Sequence, residues 1–213
     1  MIKLILVDDH IVIRESLKML LEFDGTRQVV ARASSVEECS FIMDAGIDAD
    51  IMLIDISLSD HAGLDFLSRF KYYHSKIKVI ILTSDRQIDH LIRAIDLGVD
   101  GYLINDCTVD ELFSAIQSVC SGKEYIQPSL IPALNSSLIK RDYEKEKIES
   151  LTKRELEVLI KVAHGHINRD IANELKISER TVKNHIASIF KKIDVEDRTQ
   201  AAVFAIKNSL IKI

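Results

Sequence analysis

Four apolar runs constrain this chain more than anything else in it. They are IKLILVD at 2–8, DIMLIDI at 50–56, KVIILTS at 78–84 and the shorter GYLIN at 101–105. The first three are apolar nearly throughout, the pattern of a strand buried on both faces, and the fourth is a short strand. VVARAS (29–34) adds a fifth strand-like run. Between them the periodicity is helical. In IRESLKMLLEF (13–23), Ile13, Leu17, Leu20 and Leu21 share one side. Ser35 and Glu38 are spaced as a capping box for a helix through about Met43, and Thr108 and Glu111 open another through Val119. A further helix follows Gly63, and IDHLIRAIDLG (88–98) stops at Gly98. Five strand–helix units imply a parallel sheet covered by helices on both faces. With right-handed crossovers, the expectation is an α/β domain: a five-stranded doubly wound sheet in the order 2-1-3-4-5. In such a sheet ligands sit beyond the carboxyl ends of the strands, at the switch between strands 1 and 3.

The pattern changes after residue 121. SGKEYIQPS reads as a loop and RDYEKEKIE is densely charged, so 122–149 is expected to be a linker, helical in part, between a first domain (1–121) and a second (150–213). Charge follows the same division. Residues 1–139 hold 12 basic and 21 acidic side chains, a net −9, while residues 150–213 hold 12 and 8, a net +4. An acidic first part and a basic last part suggest different partners, with nucleic acid a candidate for the second. The three cysteines, Cys39, Cys107 and Cys120, are widely spaced, against a disulfide framework or a cysteine-based zinc site. No apolar run approaches the roughly 18–20 residues that span a bilayer. The opening residues follow a strand pattern rather than that of a secretion signal, so a cytoplasmic location with no membrane partner is expected.

Asp8 and Asp9 end strand 1, and Asp55 ends strand 3. Adjacent carboxylates repel and raise each other's pKa unless something positive lies between them. A single aspartate at a strand end would be an ordinary helix cap. Three converging on one sheet edge, with the Thr83 hydroxyl at the end of strand 4 beside them, point to a hard divalent cation such as Mg²⁺, which takes a few carboxylates, waters and a phosphate.

VDDH, LIDISLSDHAGLDF, ILTS and GYLI together resemble the landmarks of bacterial response-regulator receiver domains, over residues 1 to about 121. The resemblance implies that Asp55 is the phosphoacceptor, taking a phosphoryl group from a phosphohistidine on a sensor histidine kinase. Asp9, Asp55 and the backbone carbonyl of Ser57 would hold Mg²⁺, with Asp8 reaching it through water. Thr83 would turn to the new phosphate and Tyr102 would move inward with it, although a half-buried sheet aromatic fits the same position. Two residues depart from the family pattern. Asn105 stands where the family usually has a lysine that pairs with the acceptor and then with the phosphate, and Asn offers a donor without charge. Ser59 stands where a proline is usual. The first departure weakens the expected grip on phosphate.

From Leu151 the pattern is helical throughout. Thr152 and Glu155 form a capping box, with Leu156, Leu159, Ile160 and Ala163 as the expected inner face. NRDIANEL (168–175) is a short second helix, KIS a turn, and Ser178 caps a longer helix over 179–193. That helix would bury Val182, Ile186, Ile189 and Phe190 and expose Arg180, Lys183, Asn184 and Lys191. This arrangement describes a small all-α helix-turn-helix domain, although any small helical bundle with solvated lysines shares part of the pattern. LTKRELEVL, NRDIANEL, SERTVKNHIASIFKKI and DRTQAAVFAI resemble the LuxR-type helix-turn-helix of NarL/FixJ-type regulators. The resemblance implies that 179–193 enters the major groove of double-stranded DNA and that the last helix helps form a homodimer on an inverted repeat. Lys183 and Asn184 would lie on the groove-facing stretch, Asn184 able to bond adenine bidentately and Lys183 to reach guanine or phosphate, and Ala187 could touch a thymine methyl or make no base contact. Arg180, Thr181, Lys191 and Lys192 would face phosphates.

The reading that follows is a non-enzymatic, DNA-binding transcription regulator controlled by phosphorylation of Asp55. One alternative is a regulator of the same family that binds DNA without phosphorylation. A Mg²⁺-dependent phosphohydrolase using Asp55 as nucleophile is another, but it needs a persistent general acid/base. In the haloacid-dehalogenase type this is an aspartate two residues on, where this chain has Ser57.

Overall fold

A computed structural model describes residues 1–57 and 63–211. It divides into two compact units, Met1–Asn135 and Ser136–Ile213. In the first, the strands are β1 (Ile2–Val7), β2 (Arg27–Ala33), β3 (Ile51–Ile54), β4 (Lys78–Thr83), β5 (Gly101–Ile104) and β6 (Tyr125–Ile126). The helices are α1 (Ile11–Glu22), α2 (Val36–Asp44), α3 (Gly63–Tyr73), α4 (Ile88–Asp96) and α5 (Val109–Cys120). The sheet order is β2-β1-β3-β4-β5-β6, and every pairing is parallel. The doubly wound fold is as expected, but the sheet has six strands rather than five. The added strand has two residues, is half-buried, and joins the edge by Tyr125 and Gln127 N–H donating to the carbonyls of Asp100 and Tyr102, both at 3.0 Å.

Alternation along the strands builds two apolar layers. Ile5, Val7, Met52, Ile54, Val79 and Ile81 face α2, α3 and α4, meeting Cys39, Leu67, Phe70 and Leu91. Leu4, Leu6, Leu53, Ile80, Leu82 and Leu103 face α1 and α5, meeting Leu21, Leu112, Ile116 and Val119. Because both faces are buried, the central strands show no polar alternation, which is why they read as continuous apolar runs.

Capping follows the sequence signals, with one shift. Thr108–Glu111 and Thr152–Glu155 form reciprocal boxes. Ser35 accepts from Glu38 N–H, but the Glu38 carboxylate reaches back to the N–H and hydroxyl of Ser34 instead. The segment read as a linker is largely regular: a 3-10 turn (Pro128–Leu130) leads into α6 (Ile131–Glu149).

The second unit contains α7 (Lys153–Ala163), α8 (Asn168–Leu175), α9 (Glu179–Ile193) and α10 (Arg198–Lys207) around a core of its own, with Val158, Leu159, Ile171, Val182, Ile189, Ile193, Ala201 and Ala205 buried. The buried face of α7 is Glu155, Val158, Leu159 and Val162, turned from the face expected from spacing. Lys176 ends α8 in the left-handed region (φ 53°), which lets Ile177 N–H return to Ala172 and makes a tight turn into α9. Ser178 caps α9, accepting from Thr181 N–H at 3.1 Å.

Candidate functional site

The register of the sheet sets the acids side by side. Val7 pairs with Ile54, so Asp8 and Asp55 leave neighbouring strand ends together. Asp55 N–H donates to Val7 C=O at 2.9 Å, and Asp8 N–H to Ala33 C=O at 3.1 Å. Both side chains are buried, at 6% and 4% exposure. Each is oriented by the chain just beyond it: Asp8 Oδ1 accepts from His10 N–H and Asp55 Oδ1 from Ser57 N–H, both at 2.7 Å. The Arg14 guanidinium donates to the carbonyl of Asp8. Burial pushes the Asp8 carboxyl up. The His10 N–H opposes that, and the charges of Asp55 and Asp9 add to it.

His10 was not read from sequence as part of this site. Its Nδ1 lies 2.7 Å from Asp9 Oδ1 and 3.4 Å from Asp8 Oδ1. Among the described residues, Asp8, Asp9 and His10 are brought together closely enough to share an ion, their ligand atoms within 4.8 Å of one another. Asp55 lies outside that set, yet near enough for its charge to act on Asp8. Clustered, partly desolvated carboxylate oxygens fit a hard divalent cation, which would offset the repulsion that Asp55 and Asp9 add to the effect of burial on Asp8.

A second group lies along the ends of β3 and β4. Thr83 is fully buried, its Oγ1 2.7 Å from Ser57 Oγ, and it accepts from Asp85 N–H at 3.2 Å. Ser84 Oγ donates to Ser57 Oγ at 3.4 Å. Asp85 pairs with His90 and caps the entry to α4 by accepting from Gln87 N–H. Tyr102 is 3% exposed, deeper than a half-buried sheet aromatic, and its hydroxyl is buried without a hydrogen bond. Burial pushes that hydroxyl's pKa up, and Asp85 and Asp55 add to the shift. Asn105 is tied by its N–H to Thr83 C=O at 2.8 Å, but the residue is exposed. Ser59, the other departure from the family pattern, lies outside the described residues.

In the second unit Arg180, Lys183, Asn184 and Lys191 are exposed along α9, as the sequence suggested, and so is Ala187. Thr181 is half-buried, its hydroxyl 2.8 Å from that of Ser178. Lys192 is placed differently. Its Nζ donates to Glu155 at 2.7 Å and to the carbonyl of Ser150 at 2.9 Å, so it clamps α9 to the start of α7. Ser188 donates to the same carboxylate at 2.6 Å. Burial pushes Glu155 up, but the bonds from Lys192, Ser188 and Thr152 outweigh it and hold the carboxyl at about 2.

A doubly wound domain with acids at its switch point, followed by a helix-turn-helix, defines a class: a regulator with an input domain and a DNA-reading domain. Comparison with known proteins gives the same two parts. Residues 4–117 match the response regulator receiver domain, and 149–205 match the bacterial regulatory proteins of the luxR family. The response regulator protein VraR of Staphylococcus aureus is 31% identical over 211 residues, covering 99% of each chain. In structure the chain resembles the response regulator RcsB of Salmonella typhimurium (TM-score 0.68, 21% identity, 97% of this chain and 100% of that one). It also resembles ChrA, the response regulator of a haem-sensing two-component system (TM-score 0.52, 28% identity, 99% and 98%). The chain belongs to the two-component response regulators that carry a receiver domain and a LuxR-type DNA-binding domain. Among the described residues no helix is long and apolar enough to cross a membrane.

Proposed function

We propose that the first unit is the phosphoacceptor and that Asp55 is the residue modified. The observation that carries this is the position of Asp55. It is a buried carboxylate at the end of β3, held by Ser57 N–H and facing Asp8 across the switch point. One Asp55 oxygen attacks the phosphorus of a phosphohistidine on a partner kinase. The P–N bond breaks, its electron pair returns to the imidazole, and an aspartyl phosphate remains. Asp8, Asp9, Asp55 and the Ser57 carbonyl are the groups that would hold Mg²⁺, with His10 at the rim. The metal would supply charge neutralisation on the phosphoryl oxygens. Thr83 would offer its hydroxyl to the phosphoryl group. Tyr102, buried beyond it, carries the change to the α4–β5 face.

The second unit reads DNA. Lys183 and Asn184 face base edges, while Arg180, Thr181 and Lys191 face phosphates. Two copies would bind an inverted repeat with half-sites about 34 Å apart. The working compartment is the cytoplasm. Asn105 favours a second reading, in which DNA is bound without phosphorylation. That position is exposed and neutral where the family usually offers a cation to the phosphate. A ligand shifts a conformational equilibrium only by its differential interaction with the two states, so a weaker grip shrinks the switch.

Intact mass after incubation with Mg²⁺ and acetyl phosphate tests the first reading, with Asp55→Ala as control. A phosphoryl-sized gain absent from the control supports it. No gain, together with tight DNA binding by the unmodified protein, transfers the conclusion to the second.

A further inference from the structure

The hydroxyls of Ser84, Ser57 and Thr83 form a chain across the ends of β3 and β4, at 3.4 Å and 2.7 Å. A hydroxyl donates one proton and accepts at two lone pairs. Ser84 donates to Ser57. With that bond in place, the Ser57 proton is available to Thr83. Thr83 Oγ1 already accepts from Asp85 N–H. Once Ser57 donates as well, both Thr83 lone pairs are used, and its own proton is left for another acceptor. Thr83 is fully buried, so bulk water does not supply one. Ser57 also touches the acceptor directly, since its N–H holds Asp55 Oδ1 at 2.7 Å. One residue therefore fixes both the carboxylate and the threonine.

We propose that Ser57 is a positioning residue for the phosphoryl group on Asp55: its hydroxyl, set by Ser84, turns the Thr83 proton toward a phosphoryl oxygen and supplies part of the hold that a lysine at position 105 would give. The inference rests on Asp55 being the phosphoacceptor. Hydrogen bonds in a chain polarise one another, and a bond to a charged acceptor is the stronger kind, so aligned neutral dipoles can replace some of a missing cation. The Ser57 side chain is separable from its backbone groups: Ser57→Ala keeps both the N–H on Asp55 and the carbonyl.

The test uses full-length protein and compares unaltered chain, Ser57→Ala, Ser57→Thr, Asn105→Lys and Ser57→Ala/Asn105→Lys. Each is loaded with acetyl phosphate and Mg²⁺, freed of donor, and followed by intact mass as water attacks phosphorus and the Asp55 carboxylate leaves. Beryllofluoride affinity, measured by calorimetry, gives a second readout that involves no turnover. Expected are a lifetime and an affinity lowered about tenfold by Ser57→Ala, because the bond from Thr83 to a charged acceptor loses the neighbour that orients it. Ser57→Thr should restore most of both. In the Asn105→Lys background, Ser57→Ala should cost less than about threefold, because the lysine takes over the same oxygens. A Ser57→Ala chain within about twofold of the unaltered one in both readouts overturns the inference while leaving Asp55 in place. So does an equal loss with and without the lysine. No phosphoryl gain on the unaltered chain, together with tight DNA binding by the unmodified protein, overturns the Asp55 reading and this inference with it.

Discussion

Single residues show where charge is used and where it is only carried. Lys183 and Lys192 are both lysines of α9 that the sequence assigns to DNA, yet one is exposed and the other is bound to Glu155 and Ser150. Lys183→Ala should leave stability within about 0.5 kcal/mol while weakening DNA binding; if it meets a phosphate, the salt slope should fall by about one. Lys192→Ala should instead lower stability by about 1–3 kcal/mol, because a buried carboxylate loses its charged donor. Urea unfolding beside DNA titration separates the two. Glu155 also gives a pH dependence. Its folded pKa of about 2 lies below the ordinary glutamate value of 4.5, so its contribution is full above about 4.5. That contribution is lost as pH falls toward about 2. Glu155→Gln should flatten the acid limb of the second unit's stability, read by circular dichroism. Helical spacing puts Lys192 near the polar side of α9 but is silent on a carboxylate 37 residues away. His10 is hard to see in sequence for a related reason: it has no second histidine at ligand spacing, and its partners are the two acids immediately before it. Asp8, Asp55 and Thr83 stand out as candidates in sequence because each lies at the end of an unmistakable strand, with Asp9 beside the first.

At the scale of elements, what the sequence reveals depends on length and burial. The five principal strands and their helices are legible because each spans at least four residues, the strands mostly as continuous apolar runs and the helices by a sustained period. The sixth strand is a pair, Tyr125–Ile126, whose only mark is edge pairing, so it passes for loop. The α7 face is misassigned because Glu155, charged yet 5% exposed, does not look like a core residue; its burial depends on the donors around it. The close approach of the start of α3 to the chain just past β3 is also invisible in sequence. A Cβ on Gly63 would meet the Ile56 backbone Cα at 2.8 Å, a contact no rotamer change relieves. Gly63→Ala should therefore cost about 1–3 kcal/mol, seen as a lower urea midpoint for the first unit.

For the whole molecule, the two units differ in charge as well as in fold. Residues 1–135 carry a net −9 and residues 136–213 a net +4. If Arg180 and Lys191 meet phosphates in each of two copies, affinity should fall about a hundredfold between roughly 50 and 200 mM salt. A salt-independent affinity would remove them from the interface. Residues 136–213, expressed alone, should give a cooperative helical melt, because Val158, Leu159, Ile171, Val182 and Ile189 close a core within that segment. Self-sufficiency of that kind has a genetic consequence. On the proposed function, a proteolytic nick or an internal translation start ahead of Ser136 would orphan the reader without destroying it, leaving a DNA-binding fragment cut off from Asp55. Such a fragment would compete with the intact copy for the same sites whatever the state of the receiver, so the lesion should behave as dominant.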